Sequence, residues 1–305
     1  MMSNWTVDNM PSQKGKTFLV TGANSGLGFG TSVALAKKGA KVIMTARDLS
    51  KGTKAMFDLK KEAPTADVEL MQLDLADLNQ VKAFANAFKE KYQQLDVLIN
   101  NAGVMMPAKR DETKQGFEIQ FGTNHLGHFV LTNELLEILE KTPDSRIVVL
   151  SSLVAKMNKA DIYWDDLHFE KSYDKMASYA QSKLANMLFA AELDRRLKKQ
   201  RSAITCIMAH PGYTATNLQQ HMGWAGRILN FLMAQKVEMG ILPTLRAATD
   251  PNAKGGEYYG PAKMGNYRGY PVLNEPNKMV DDNGANQKLW QLSEQLTNTN
   301  FVIHS

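Results

Sequence analysis

The chain has 305 residues, 44% of them apolar and 22% charged, with a formal charge of +5 and one cysteine. These values exclude a disordered chain and a disulfide scaffold, and they admit one large α/β domain or two smaller ones. The positive charge lies on solvated helix faces such as Lys37-Lys38 and Lys198-Lys199 and is not interleaved with stacking aromatics, which excludes a nucleic-acid surface.

Residues 1–15 read as a polar N-terminal extension without an apolar signal core. The first strand is Thr17–Val20. It runs into Thr21-Gly22-Ala23-Asn24-Ser25-Gly26-Leu27-Gly28, which opens a helix over Gly26–Lys38. Glycines at 22, 26 and 28 allow a tight strand-to-helix turn whose N–H groups, with the positive end of the helix, face an anion such as a pyrophosphate. Strands then alternate with amphipathic helices: Lys41–Thr45, helix Lys51–Glu62, Val68–Leu73, helix Leu78–Lys91, Leu95–Ile99, helix Gly116–Glu140, Arg146–Leu150, helix Ala177–Lys199, Ala203–Met208 and a weaker strand Gly256–Tyr259. Residues 261–305 form a C-terminal extension. With no Pro-, Gly- or Ser-rich linker, residues 1–305 read as a single doubly wound Rossmann domain of about seven parallel strands flanked by helices on both faces.

Cys206 lies in the apolar run Ile204–Met208 and reads as a buried structural thiol, in keeping with a reducing cytoplasm. No apolar stretch of about 18 residues is present, so no membrane span is expected. His125 and His128 lack partners at metal-ligand spacing, so no metal site is expected. The sequence leaves open whether the chain is a monomer or a homo-oligomer.

In a doubly wound sheet the ligand lies outside the carboxyl ends of the strands. Small and polar residues stand at those ends: the glycine turn, Ala46-Arg47-Asp48, Asp74-Leu75, Asn100-Asn101-Ala102-Gly103, Ser151-Ser152 and His210-Pro211-Gly212. The helix from Ala177 carries Tyr179 and Lys183, four residues apart and therefore on one face. A free tyrosine, with a pKa of about 10, is a poor base at neutral pH. A neighbouring ammonium and a cationic cofactor would favour its phenolate; a drop of about three in pKa corresponds to roughly 4 kcal/mol. Ser152 offers a hydroxyl to a carbonyl oxygen. Asn124, polar in an apolar helix, would bend that helix and hold a water against Lys183.

Taken together and in this order, the glycine segment, Asn100-Asn101-Ala102-Gly103, Asn124, Ser151-Ser152, Tyr179 with Lys183, and Pro211-Gly212 resemble the short-chain dehydrogenase/reductase superfamily from about Lys16 to Tyr259. Asn124-His125-Leu126-Gly127-His128-Phe129 and Tyr179–Asn186 are similar to its retinol-dehydrogenase-like branch, as is the long spacing from Ser152 to Tyr179. The resemblance implies hydride transfer between a nicotinamide and a carbonyl or alcohol carbon, with Tyr179 as general acid/base. Lys183 would tune Tyr179 and hold the nicotinamide ribose. Ser152, chosen over Ser151, would orient the substrate oxygen, and Asn124 would complete a proton relay. Gly22, Asn24, Ser25, Gly26, Leu27 and Gly28 would cradle the phosphates. Asp74 would meet the adenine edge beside Leu75, Asn101, Ala102 and Gly103 would line the cofactor, and Pro211, Gly212, Thr214 and Thr216 would grip its nicotinamide end.

Ala46 takes the place where an acid would bind the ribose 2′-hydroxyl of NAD, and Arg47 follows, placed to grip the 2′-phosphate of NADP. Asp48 is the competing acid, or a helix cap. NADP is therefore expected over NAD. The loops after the fifth and sixth strands carry Tyr163, Trp164, Phe169, Met222, Trp224, Leu229, Phe231, Leu232 and Met233, which suit a lipophilic carbonyl or alcohol substrate. Residues 213–235 are expected as a lid over that substrate; the rival reading is a fixed surface helix. An alternative function, an NADP-binding sensor with weak catalysis, would not require Tyr179, Ser152 and Lys183 together.

Overall fold

The computed structural model describes residues 4–157, 160–214 and 235–303. Short apolar runs make a sheet buried on both faces, because each strand sends alternate side chains to opposite cores. In β1 (Thr17–Val20), Leu19 joins one core while Phe18 and Val20 join the other. The remaining strands are β2 (Lys41–Ala46), β3 (Val68–Gln72), β4 (Val97–Asn100), β5 (Arg146–Leu150), β6 (Thr205–Ala209), β7 (Tyr258–Lys263) and β8 (Arg268–Leu273). Their order is β3-β2-β1-β4-β5-β6-β7-β8. The first seven are parallel, as expected, and β8 returns antiparallel along β7. Sequence reasoning missed β8 because Gly269 and Pro271 within it argue against a strand; an edge strand tolerates both.

The helices, in chain order, are α1 (Gly26–Lys37), α2 (Leu49–Glu62), α3 (Leu78–Lys91), α4 (Ile119–Phe121), α5 (Gly127–Glu134), α6 (Leu136–Glu140), α7 (Lys175–Lys199), α8 (Val237–Gly240), α9 (Leu242–Thr249) and α10 (Asn283–Thr297). Aspartates start four of them: Asp48, Asp77, Asp174 and Asp282 each accept backbone N–H bonds at the N-termini of α2, α3, α7 and α10. Residues of α3, α5, α7 and α10 share one core, and residues of α1, α2 and α9 share the other. The single helix expected over Gly116–Glu140 is instead a relay of α4, a π-helical turn at Gly122–Leu126, α5 and α6. Periodicity alone could not show the π turn, whose extra residue leaves the apolar pattern nearly intact. Among the described residues no helix is long and apolar enough to cross a membrane.

The residues read as terminal extensions are packed into the body. Trp5 and Met10 are buried in the core that faces α1. In α10, Trp290 is buried between Phe129, Phe189 and Phe301, with the Arg196 guanidinium 4.2 Å from its ring centroid. Trp290→Ala should therefore lower unfolding stability by about 3–5 kcal/mol, the cost of removing a large buried aromatic. Denaturant midpoints of the two proteins measure it. A loss under about 1 kcal/mol would show α10 to be an appendage.

Candidate active site

The strand order reverses between β1 and β4, and the loops that follow them part to leave a groove. On one side, Ser25 precedes α1 and makes no side-chain cap bond, so the first N–H groups of α1 remain open to the groove. Gly28 lets the helix start lie against the turn: a Cβ there would fall 2.3 Å from the Gly22 carbonyl oxygen. On the other side Asn101 uses its side-chain amide to hold the Thr21 carbonyl, at 2.7 Å. Gly22, Asn24, Ser25, Gly26, Leu27 and Gly28 line one wall of this groove. Arg47, Asp74, Leu75, Asn101, Ala102 and Gly103 line other walls, so these twelve of the expected cofactor-side residues meet there around a volume of ≈ 250 Å³.

At the end of β2, Ala46 is buried and Arg47 is exposed at the groove. Its guanidinium forms no ion pair among the described residues. Asp48 caps α2: its Oδ1 accepts from Ser50 N at 2.9 Å and Lys51 N at 3.2 Å. The Ser50 hydroxyl first, and then the backbone cap bonds, lower its carboxyl below the usual carboxylate value. Of the two roles the sequence offers Asp48, the helix cap is the one present in the structure. Asp74 accepts the Ala76 N–H at 2.9 Å, which shapes the loop that brings it to the groove.

Leu27, Asn101, Gly103 and Val104 also border a second cavity of ≈ 480 Å³, so groove and cavity are continuous. Ser152, Tyr179, Lys183, Pro211, Gly212 and Thr214 converge on this cavity. Tyr179 and Lys183 lie in the buried first half of α7. Ser152 stands just after β5, and both its side chain and Tyr179 line this cavity. The neighbouring Ser151 hydroxyl is engaged elsewhere, donating to the Lys183 backbone carbonyl at 2.7 Å. Lys183 Nζ donates to the Leu150 carbonyl at 3.3 Å. Thr216 falls outside the described residues.

Burial dominates the electrostatics. It pushes the Tyr179 phenol up to about 12, against a smaller downward pull from the Ser152 hydrogen bond. It pushes Lys183 down to about 8. The lowered phenol expected from the sequence is therefore reversed in the protein by itself: burial disfavours the phenolate and is the largest cause of its shift. At neutral pH Tyr179 holds its proton.

Asn124 sits in the π turn, as the bend expected of it requires. Its Oδ1 accepts from Val104 N at 2.7 Å, and its Nδ2 donates to the Val104 carbonyl and to Ser182 Oγ, both at 2.9 Å. Both hydrogens and the side-chain oxygen are committed. The side chain braces the loop after β4 against α7, and its backbone carbonyl meets His128 Nδ1 at 2.9 Å.

The apolar wall of the cavity differs from the expected one. Tyr163, Trp164 and Phe169 do not line it. Phe169 is buried beside Tyr163, and Trp164 packs partly on the core under Lys288. Met105, Met106, Leu153, Val154, Met157 and Met176 form the wall instead. Ser152, Leu153, Val154 and Met157, with Met176 at the start of α7, reach the cavity, while Ile162 and Leu167 between them are buried in the core. Met105 and Met106 had a usable signal, since they follow the Asn-Asn-Ala-Gly segment at a ligand-binding strand end. Tyr267, from the β7–β8 turn, had none. Met222, Trp224, Leu229, Phe231, Leu232 and Met233, with the lid expected over 213–235, lie outside the described residues except at the ends of that segment. There Gln235 N donates to Tyr213 O at 2.8 Å and Gln235 Nε2 to Pro211 O at 2.7 Å, beside the cavity.

The short chain dehydrogenase family model matches residues 16–163. Human retinol dehydrogenase 14 is 38% identical over 301 residues, covering 92% of this chain and 85% of that protein. The crystal structure of an uncharacterized protein from Mycobacterium paratuberculosis superposes with a TM-score of 0.82 at 38% identity, covering 99% of this chain and 100% of that one. The Pseudomonas aeruginosa RhlG/NADP active-site complex shares the fold, with a TM-score of 0.66 at 21% identity over 81% of this chain and 94% of that one.

A lysine buried without a carboxylate partner costs stability whenever it is charged. Its folded pKa of about 8 lies below the unfolded 10.5. Folding therefore favours the neutral amine, and stability falls as pH drops from 10.5 to about 8, then stays level. Lys183→Met removes this penalty. The variant should match the parent near pH 10.5 and exceed it by about 3 kcal/mol at pH 7. Chemical denaturation across that range reads the difference; a pH-independent gap would show that Lys183 is not desolvated.

Proposed function

The chain belongs to the short-chain dehydrogenase family, in its retinol-dehydrogenase-like branch, and is an NAD(P)-dependent oxidoreductase acting on alcohol and carbonyl groups; from that premise we propose that it prefers NADP(H) and reduces or forms the carbonyl of a neutral, lipophilic small molecule, with Tyr179 as the acid/base. One observation carries this reading. Tyr179, Ser152 and Lys183 converge in a single cavity that continues into the groove below the open N-terminus of α1. That convergence also disfavours a sensor without catalysis.

The residues present suit a nicotinamide dinucleotide. The α1 N-terminus, where Ser25 makes no capping bond, offers its first N–H groups to a pyrophosphate. Arg47 offers a free guanidinium at the ribose end, where Ala46 supplies no acid and Asp48 is engaged as a cap. Gly103 leaves space over the catalytic residues, since a Cβ there would stand 3.1 Å from Asn124 Oδ1 and 3.5 Å from Lys183 Nζ. When bound, the nicotinamide supplies or accepts the hydride.

The protein's own groups do the rest. Tyr179, protonated at neutral pH, donates from its hydroxyl to the substrate oxygen in the direction of reduction. Ser152, which lines the same cavity, orients the same oxygen. Lys183, displaced downward by burial, holds a ribose hydroxyl and adds positive charge that favours the phenolate once formed. Asn124 fixes the loop after β4 to α7, so that cofactor wall and acid keep their spacing. Among the described lining residues Lys183 is the only formally charged side chain of the cavity, and the methionine and leucine wall suits a neutral, lipophilic substrate. A cytoplasmic setting, which suits the buried free thiol of Cys206, is part of the same proposal.

Two variants test the reading. Tyr179→Phe should lose at least about a thousandfold in kcat on any accepted carbonyl while its NADPH affinity changes less than about threefold, since general acid catalysis contributes on that scale. Activity within tenfold of the parent, by about one order of magnitude, would remove Tyr179 from the mechanism. Arg47→Ala should weaken NADPH by about ten- to a hundredfold, the worth of a charge-assisted bond, and leave NADH nearly unchanged. Titration by cofactor fluorescence gives both constants. Equal losses would assign Arg47 to the fold and remove the argument for NADP.

A further inference from the structure

Met106 lines the substrate cavity in a backbone conformation that methionine rarely adopts, with φ at +49°. A non-glycine residue in the left-handed region persists only where its surroundings impose it. Here the constraint is Gln120. Its side chain is fully buried, and its Oε1 accepts the Met106 N–H at 2.7 Å. Its Nε2 donates to Ser178 Oγ at 2.9 Å, with Tyr173 OH and the Lys175 carbonyl each at 3.2 Å. Tyr173 OH in turn donates to the Pro107 carbonyl at 3.4 Å. One amide thus joins the 106–107 wall to the first turn of α7, next to Tyr179.

We propose that Met106 is a specificity-determining residue of the substrate cavity, and that Gln120 is the positioning residue that fixes this wall relative to Tyr179. The inference rests on the proposed carbonyl chemistry of the same cavity. A wall pinned to the helix that carries the acid limits the bulk that can sit beside the reacting carbonyl. The thioether itself adapts to shape, but the backbone that carries it cannot retreat. Gln120 touches neither groove nor cavity, so its effect must pass through the wall.

The test uses a series of aryl ketones with alkyl groups from methyl to tert-butyl. Selectivity is the ratio for slim over bulky ketones, measured both as kcat/KM with NADPH and as Kd with NADP present, where no reduction can occur. The parent should favour the slim ketones. Met106→Gly keeps the N–H bond and suits the left-handed backbone, so it should fold at least as well as the parent. It should raise the relative use of bulky ketones tenfold or more. Gln120→Leu should narrow the ratio in the same direction and raise KM more than it lowers kcat, with NADPH affinity within twofold of the parent. Gln120→Glu, which retains an acceptor for the Met106 N–H, should restore part of the selectivity. A merely structural role would lower stability and all substrates alike without moving the ratio. Unchanged ratios in Met106→Gly, by rate and by binding, overturn the inference while leaving the carbonyl chemistry in place. Selective ketone binding without turnover in the parent overturns the chemistry and leaves the inference. A parent that neither binds nor reduces any ketone overturns both.

Discussion

Between β1 and β4 the following chains diverge, and the turn after β1 closes against the segment after β4 so tightly that a Cβ on Gly22 would stand 2.9 Å from that of Ala102. The buried Thr21 hydroxyl makes the join by accepting the N–H groups of Asn101 at 2.8 Å and Ala102 at 2.9 Å. It also meets His128 Nε2 at 2.9 Å, while His128 Nδ1 reaches the Asn124 carbonyl at 2.9 Å. For each contact to be a hydrogen bond, the imidazole must be neutral, donating from Nδ1 and accepting at Nε2. Burial pushes it down to about 4, which keeps it so. The glycine turn, the segment after β4 and the π turn are therefore one hydrogen-bonded unit.

The same burial that makes this unit rigid sets the character of the catalytic groups. Tyr179 and Lys183 are both buried, so the neutral phenol and the neutral amine are both favoured relative to the free groups. Folding bears the cost of placing an amine where it is hard to charge. The return is a site in which any charge brought in by ligands acts at full strength, because little solvent screens it. A cofactor that adds positive charge near Tyr179 would reverse the phenol's shift, coupling proton position to cofactor state. The stability penalty at Lys183 and its usefulness have one physical origin.

Much of this was legible in the sequence because its signals are local. The glycine turn needs only neighbouring residues to be understood, and so do the strand ends and the Tyr179–Lys183 pair. Each expected groove residue from Gly22 to Gly103 reached its place because a parallel sheet delivers every strand end to one edge. What was not legible depends on long-range choices. Tyr163, Trp164 and Phe169 are as apolar as a substrate wall requires, but the core claimed them, and periodicity cannot distinguish one apolar destination from another. The direction of the Tyr179 shift depends on burial, which spacing does not report. Nothing local marks Gln120, whose four partners lie up to 58 residues away in the sequence.

The central claim is direct hydride transfer in the cavity that holds Tyr179. A single-turnover reaction of the enzyme with NADPH deuterated at C4 of its transferable face and a lipophilic ketone tests it, read by mass spectrometry of the alcohol. The account predicts one deuterium on the carbinol carbon and none lost to solvent. Alcohol formed without the label, or label released to water, would contradict it.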